Sequence, residues 1–349
     1  MLAAAMATLL LLTPVHGSVA AGKTLPLGPT ATPVVAPPAP QAASWLIYDD
    51  TNGVMLASSN IDEPRAPASV TKIMTALVAI DRAALTDVVT ISELAADTGE
   101  AEVGLVAGEE WTMWELLNAI VVRSGNDAAV AIAEHVGGSV EGFSDLMNAK
   151  AAELGMTDSA FANPHGLDQE GHLMSAADML ILGQAALADP IISQLVMTES
   201  VEFKPSPTGV ERRATNTNEL LGAYPGVTGV KTGFTNEAGR VLLSSAERDG
   251  RRFIGVVMGT EDHFAETRPL LEYAFDTHRP PDLIRAGLVG EQGEGTAPLA
   301  VIPDWLSLRL ATSPRLTDGM PEVRLPTETE RALADRFDDL LPALVGSST

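Results

Sequence analysis

Strand signals stand at both ends of residues 44–277, and a long helical stretch lies between them. Trp45 to Tyr48 reads as a strand, Asp49 to Gly53 as a turn, and Val54 to Ala57 as the returning strand. Asn52-Gly53 between apolar runs is a hairpin signal, because both residue types tolerate positive φ. At the other end, Gly239 to Ser245 and Arg251 to Met258 flank a polar turn over Glu247 to Gly250, and Thr267 to Phe275 reads as a closing helix. This order predicts one sheet assembled from both ends of the unit, with a helical cluster inserted between them.

The insert carries its own punctuation. A helix begins near Ser69, and Ile73, Met74, Leu77, Val78 and Ile80 give it the apolar density of a central helix. A second starts near Thr112 with Glu115 as a capping-box partner and breaks at Ser124-Gly125-Asn126. Helical pattern resumes over Asp127 to Val136, stops at Gly137-Gly138, and returns around Phe143 to Leu154 before Gly155. The stretch 112–190 is expected to be largely helical.

The flanks differ in texture. Residues 2–15 are almost wholly apolar, and Ser18-Val19-Ala20 offers a cleavage site, so residues 1–20 read as a signal peptide, although no Lys or Arg precedes the apolar run. Residues 21–43 read as a Pro/Ala-rich linker. Residues 278–349 form a C-terminal extension, expected as a small β-rich module or a wrapping arm over 278–326 and a helix over 328–344 with an acidic polar side. Anionic lipid headgroups disfavour an acidic helix as an anchor, which makes packing on the body the expected fate of that helix.

The chain carries 46 acidic and 22 basic residues, a formal charge of -24, which argues against a nucleic-acid partner. With no cysteine, disulfides, Cys-ligated metals and a Cys nucleophile are excluded. The six histidines lack the short helical spacing of a hydrolytic zinc motif.

Three polar triplets suggest chemistry. Ser69-Val70-Thr71-Lys72 puts a hydroxyl and an amine on one helix face. A serine becomes a good nucleophile only when a neighbour takes its proton, and a lysine can do so only when its surroundings lower its pKa. In Ser124-Gly125-Asn126, a serine able to relay a proton sits beside an amide able to grip a peptide carbonyl or orient the lysine. Lys231-Thr232-Gly233 offers a cation and a hydroxyl for a substrate carboxylate, with Gly233 allowing a substrate backbone to approach a strand edge. Each triplet alone is a weak signal. A serine, a base, a relay and a carboxylate clamp are nonetheless the parts that acyl transfer from a peptide with a free carboxyl end requires.

In this order, with separations of 55 and 107 residues, the triplets resemble the motif set of the penicillin-binding proteins and serine β-lactamases. Trp45 to Thr75, Asn163-Pro164-His165-Gly166-Leu167, Gly229 to Gly239 and Met258-Gly259 are similar to the low-molecular-mass D-alanyl-D-alanine carboxypeptidases, so the resemblance covers roughly 45–277. It implies an α/β (α+β) fold of the serine β-lactamase/transpeptidase type: an antiparallel sheet flanked by helices, with a helical subdomain. It also implies a serine peptidase that removes the terminal D-alanine of peptidoglycan stem pentapeptides through an acyl-enzyme on Ser69. Lys72 is then the general base, Ser124 and Asn126 manage proton transfer and orientation, and Lys231, Thr232 and Gly233 bind substrate. The backbone N–H groups of Ser69 and Phe234 become the oxyanion donors, β-lactams the covalent inhibitors, and no cofactor or metal is involved.

His165 reads as part of a structural turn, and Arg252 and Arg268 as structural or exposed rather than catalytic. Two departures stand out. Phe234 follows Lys-Thr-Gly where some relatives carry His or Tyr, and the tail is short and acidic, leaving peripheral membrane association open. Export to the periplasm or the outer face of the cytoplasmic membrane is expected. A D,D-endopeptidase, a serine β-lactamase and a catalytically silent wall-binding protein are the competing functions.

Overall fold

A computed structural model describes residues 36–277. Most of the expected leader and linker, and all of the C-terminal extension, lie outside the described residues. In chain order the elements are β1 (Ser44–Asp49), β2 (Val54–Ser59), a 3-10 turn (Ala68–Val70), α1 (Thr71–Arg82), β3 (Val88–Thr90), α2 (Glu93–Ala96), β4 (Glu110–Thr112) and α3 (Met113–Asn118). A π turn (Ala119–Arg123), α4 (Asn126–Gly137), α5 (Val140–Leu154), α6 (Ala176–Ala188) and α7 (Pro190–Val196) follow. The chain then runs through β5 (Ser200–Phe203), β6 (Arg212–Thr215), β7 (Val227–Thr235), β8 (Gly239–Arg248), β9 (Arg251–Thr260) and α8 (His263–Thr277).

The main sheet has the order β2-β1-β9-β8-β7 and is antiparallel throughout. As expected, the two chain ends meet in it: β1 pairs with β9 through Leu46↔Val256 and Tyr48↔Ile254. Side chains alternate between faces along each strand. Trp45, Ile47, Leu242, Phe253 and Val257 pack with Leu270, Leu271 and Phe275 of α8 on one side. Leu46, Tyr48, Leu243, Ile254, Val256 and Met258 belong to the larger core shared with α1, α3, α4 and α6. Helix α1 lies at its centre, with every residue from Thr71 to Ala79 buried. Among the described residues no single helix is long and apolar enough to cross a membrane.

The punctuation of the helical insert is largely as the sequence predicts. Thr112 caps α3, accepting from Glu115 N at 3.2 Å, while Glu115 Oε2 accepts from Thr112 N at 2.7 Å. Gly138 and Gly155 terminate α4 and α5 in left-handed conformations.

Three details differ from expectation. In the first hairpin only Gly53 has positive φ; the Asn52 amide is tied back to Asp49, with Nδ2 donating to Oδ2 at 2.9 Å. The stretch 112–190 is interrupted by a long non-helical loop between α5 and α6, where Pro164 and the left-handed Gly166 and Gly171 forbid continuation. Finally, the two-stranded ribbons β3–β4 and β5–β6 had no counterpart in the sequence reading, since strands of three or four residues are too short to show a period.

The capping box yields the first expectation. Thr112→Ala removes a reciprocal pair at the entry to α3 and lowers stability in urea denaturation by about 1 kcal/mol, whereas Glu115→Gln retains an acceptor at the same position and costs less.

Candidate active site

Ser69 lies in the 3-10 turn just before α1, half-exposed between the fully buried Ala68 and Val70. Ala68 carries the left-handed φ of 49°, an unfavourable conformation for a residue with a Cβ. Strain of this kind persists only where the surroundings enforce it. Two glycines do so here. A Cβ on Gly166 would overlap the Ala68 carbonyl oxygen, and one on Gly233 would stand 2.9 Å from Ala68 Cβ and 3.0 Å from Ser69 N. The close approach expected of Gly233 is therefore made to the turn that carries Ser69, a contact within the chain itself.

Lys72 is fully buried one helical turn away. Its Nζ lies 2.9 Å from Ser69 Oγ, 2.7 Å from Asn126 Oδ1 and 2.7 Å from the His165 carbonyl oxygen. Burial, and secondly the charge of Lys231, push the Lys72 pKa well below its ordinary value. A neutral amine has two N–H groups and one lone pair. Asn126 and His165 are pure acceptors at these atoms and take both N–H groups, so the lone pair is left facing the Ser69 hydroxyl.

Asn126 is fixed in turn: its Nδ2 donates to Gly99 O at 3.0 Å and its backbone N to Ala101 O at 2.6 Å. The Asn126 amide therefore contacts Lys72 through Oδ1 and the 99–105 loop through Nδ2. Asp127 next to it is a residue the sequence reading missed. Its buried carboxylate accepts the N–H groups of Val103, Gly104 and Leu105 at 3.0–3.3 Å and holds the 99–105 loop against α4. Burial raises its pKa, and those same N–H groups oppose the rise. An acid in the first turn of α4 was a visible cue, but its partners lie more than 20 residues upstream.

Ser124 ends the π turn with φ 68° and is 6% exposed. The three contacts of Lys72 come from Ser69, Asn126 and His165, and Ser124 is not among them.

The loop between α5 and α6 locks the opposite side. Thr75 donates to Pro164 O at 2.6 Å, Asn163 Oδ1 accepts from Gly166 N at 2.7 Å, and Asp168 Oδ1 accepts from Thr235 of β7 at 2.5 Å. His172 accepts from Ala162 N at 3.0 Å through Nδ1, which leaves Nε2–H to donate to Thr71 Oγ1 at 2.8 Å. Burial pushes His172 down to about 4 and His165 down to about 3, so both rings are neutral. His165 thus acts through its backbone carbonyl, in keeping with a structural turn.

Lys231, Thr232 and Gly233 lie on β7, the edge strand beside the Ser69 turn. Lys231 is 1% exposed; its Nζ donates to Thr232 O at 3.0 Å, and burial lowers its pKa to about 7. Thr232 Oγ1 is 2.6 Å from Thr217 Oγ1, a second residue that the sequence reading missed. The Phe234 side chain is 59% exposed, with the Arg240 guanidinium 5.5 Å from its ring centroid. Arg252 pairs with Asp50 and Glu247, and Arg268 lies against Tyr224, so both have structural surroundings.

Comparison with known proteins places this geometry. Residues 31–262 match the D-alanyl-D-alanine carboxypeptidase family. The chain is 39% identical over 253 residues to the D-alanyl-D-alanine carboxypeptidase DacF of Bacillus subtilis, a match covering 70% of this chain and 65% of the relative. It is 37% identical to DacB2 of Mycobacterium tuberculosis, covering 62% and 74%. With DacC of Escherichia coli it shares 36% identity, covering 69% and 63%. It thus spans a little under two thirds of the length of DacF and DacC. Among solved structures it resembles a D-alanyl-D-alanine carboxypeptidase of Mycobacterium tuberculosis (TM-score 0.66, 33% identity, covering 70% and 94%). It also resembles the Streptomyces K15 DD-transpeptidase (TM-score 0.66, 28% identity, covering 69% and 100%).

The buried lysine of β7 generates the second expectation. Between about pH 7 and the unfolded value of 10.5, the unfolded chain binds more protons at Lys231 than the folded one, so its contribution to stability rises with pH across that window. Below about 7 the burial cost is fully present. Lys231→Met is expected to raise the thermal midpoint at pH 6 by about 2–6 °C, with the gain shrinking towards pH 10.

Proposed function

We propose that this chain, which belongs to the D-alanyl-D-alanine carboxypeptidase family, is a serine-type peptidase that removes the terminal D-alanine from peptidoglycan stem peptides. The observation that carries the reading is the buried Lys72 amine, 2.9 Å from Ser69 Oγ, with its other two contacts taken by fixed acceptors.

In this mechanism the substrate's terminal carboxylate is held by the Lys231 ammonium and the Thr232 hydroxyl. Ser69 Oγ attacks the carbonyl carbon of the penultimate D-alanine as its proton passes to Lys72 Nζ. The oxyanion accepts from the backbone N–H groups of Ser69 and Phe234, a placement supported by the packing of Gly233 on Ser69 N. The proton moves from Lys72 by way of the Ser124 hydroxyl to the departing amine, the C–N bond breaks, and free D-alanine leaves an ester on Ser69. Water, deprotonated by the same amine, attacks the ester and restores the Ser69 hydroxyl.

β-lactams, with a carboxylate beside a reactive carbonyl, are expected to acylate Ser69 by the first half of this sequence. The apolar run over residues 2–15 supports a reading of export, to the periplasm or the outer face of the cytoplasmic membrane.

The direct test is D-alanine release from a peptide ending in D-Ala-D-Ala, by the protein and by Ser69→Ala. Ser69-dependent release is expected, and a folded protein releasing none counts against the assignment. The pH profile adds a second test. Lys72 must be neutral and Lys231 charged, so kcat/KM is expected to follow a bell with its alkaline limb near pH 7. Lys231→Arg, which stays charged, moves that limb out of the measured range.

A further inference from the structure

One residue of the 99–105 loop is held in a conformation that its side chain disfavours. Glu100 has φ 70°, in the left-handed region, while Gly99 beside it, the residue type that enters that region freely, does not use it. Strain of this kind needs an anchor, and Asn126 supplies one on each side of Glu100. Its Nδ2 donates to Gly99 O at 3.0 Å and its backbone N to Ala101 O at 2.6 Å. The same Asn126 places its Oδ1 2.7 Å from Lys72 Nζ. Further along, Val103, Gly104 and Leu105 hang on the Asp127 carboxylate. Glu100 thus carries an exposed side chain on a backbone fixed at 99, at 101 and again at 103–105. A glycine at 100 would relieve the strain and keep both bonds, since the neighbours' carbonyls make them. The chain carries an acid there instead.

The charges around Lys72 give that acid a task. The other titratable groups about the amine are Lys231 on β7, Asp127 on α4, and the His165 and His172 rings of the α5–α6 loop. Both rings are neutral. Lys231 opposes a proton on Lys72, while Asp127 is buried and already accepts four backbone N–H groups. Glu100 favours the protonated amine, and among the described residues it forms no ion pair of its own. Of the three charged groups around the amine it alone is exposed.

Resting on the peptidase reading, we propose that Glu100 is a positioning residue acting through Lys72: its carboxylate, set by the grip of Asn126 on the loop, stabilises the ammonium that Lys72 becomes when the Ser69 proton moves onto Nζ. The Ser69 O–H bond breaks, an N–H bond forms on Lys72, and the oxygen's electron pair goes to the substrate carbonyl carbon. Glu100 stays ionised throughout. Its field makes the amine a stronger base and lowers the fraction of that amine that is neutral in acid.

The test follows acylation of Ser69 by a fluorescent penicillin in the full chain and in Glu100→Gln, as a second-order rate constant across about pH 5 to 9. Removing the charge is expected to slow acylation on the plateau about two-fold and to move the acid limb down by about 0.5 pH unit. The alkaline limb, set by Lys231, stays in place. In about 1 M NaCl, where the Debye length falls to about 3 Å, the two proteins converge. Glu100→Asp retains the charge and stays close to the unaltered protein. Glu100→Gly repeats the effect of Glu100→Gln while raising the thermal midpoint, because glycine accepts the left-handed φ. A loop brace alone would slow acylation without any dependence on salt. Equal low-salt rates for Glu100→Gln and the unaltered protein, or a slower rate that high salt does not erase, each overturn the proposal. Failure of the unaltered protein both to be acylated and to release D-alanine counts instead against the peptidase reading, and the proposal falls with it.

Discussion

The burial of one amine governs the rest of the site. An ammonium in a water-free interior is costly unless it is paired or gives up its proton. Lys72 meets no carboxylate; it is met by an amide oxygen, a backbone carbonyl and a hydroxyl. Those partners suit a neutral amine that donates twice and accepts once. On the peptidase reading, the reactivity of Ser69 follows from desolvation of that amine, from the charge of Lys231 and from the direction of a lone pair.

Holding that geometry takes much of the fold. Asn126 is pinned through the 99–105 loop, which is itself strung on Asp127. The His165 carbonyl is set by the Asn163 turn, and Asp168 ties the same loop to the end of β7. Strand β7 then presses Gly233 against the Ser69 turn and, with Gly166, keeps Ala68 in its left-handed conformation. The result is a ring of contacts that begins and ends at the nucleophile and passes through α4, the α5–α6 loop and β7.

The sequence was legible where the determinants were local. The first hairpin, the Thr112–Glu115 capping box, the glycine stops after α4 and α5 and the alternation along β8 and β9 each depend on residues a few positions apart. The three triplets were visible as chemistry, yet their meeting became plain only from resemblance to a family, because nothing local says that residues 55 and 107 apart converge. Asp127, His172, Asp168 and Thr217 were missed for that reason. Their loop and strand partners lie 10 to 101 residues away, and an isolated Asp, His or Thr reads the same whether it braces an active site or faces water. The π turn before Ser124 escaped as well, since its residues keep an ordinary apolar helical pattern.

The ring of contacts around Ser69 has a consequence for the life history of the chain. Serine and lysine are neighbours on one turn, but their reactivity is assembled from segments 54 to 164 positions further along. A nascent or partly unfolded molecule would hold both residues close together with the amine in water, protonated and inert. On the peptidase reading, chemical competence arises only when β7 has docked beside the Ser69 turn, and the nucleophile works as a built-in gauge of assembly.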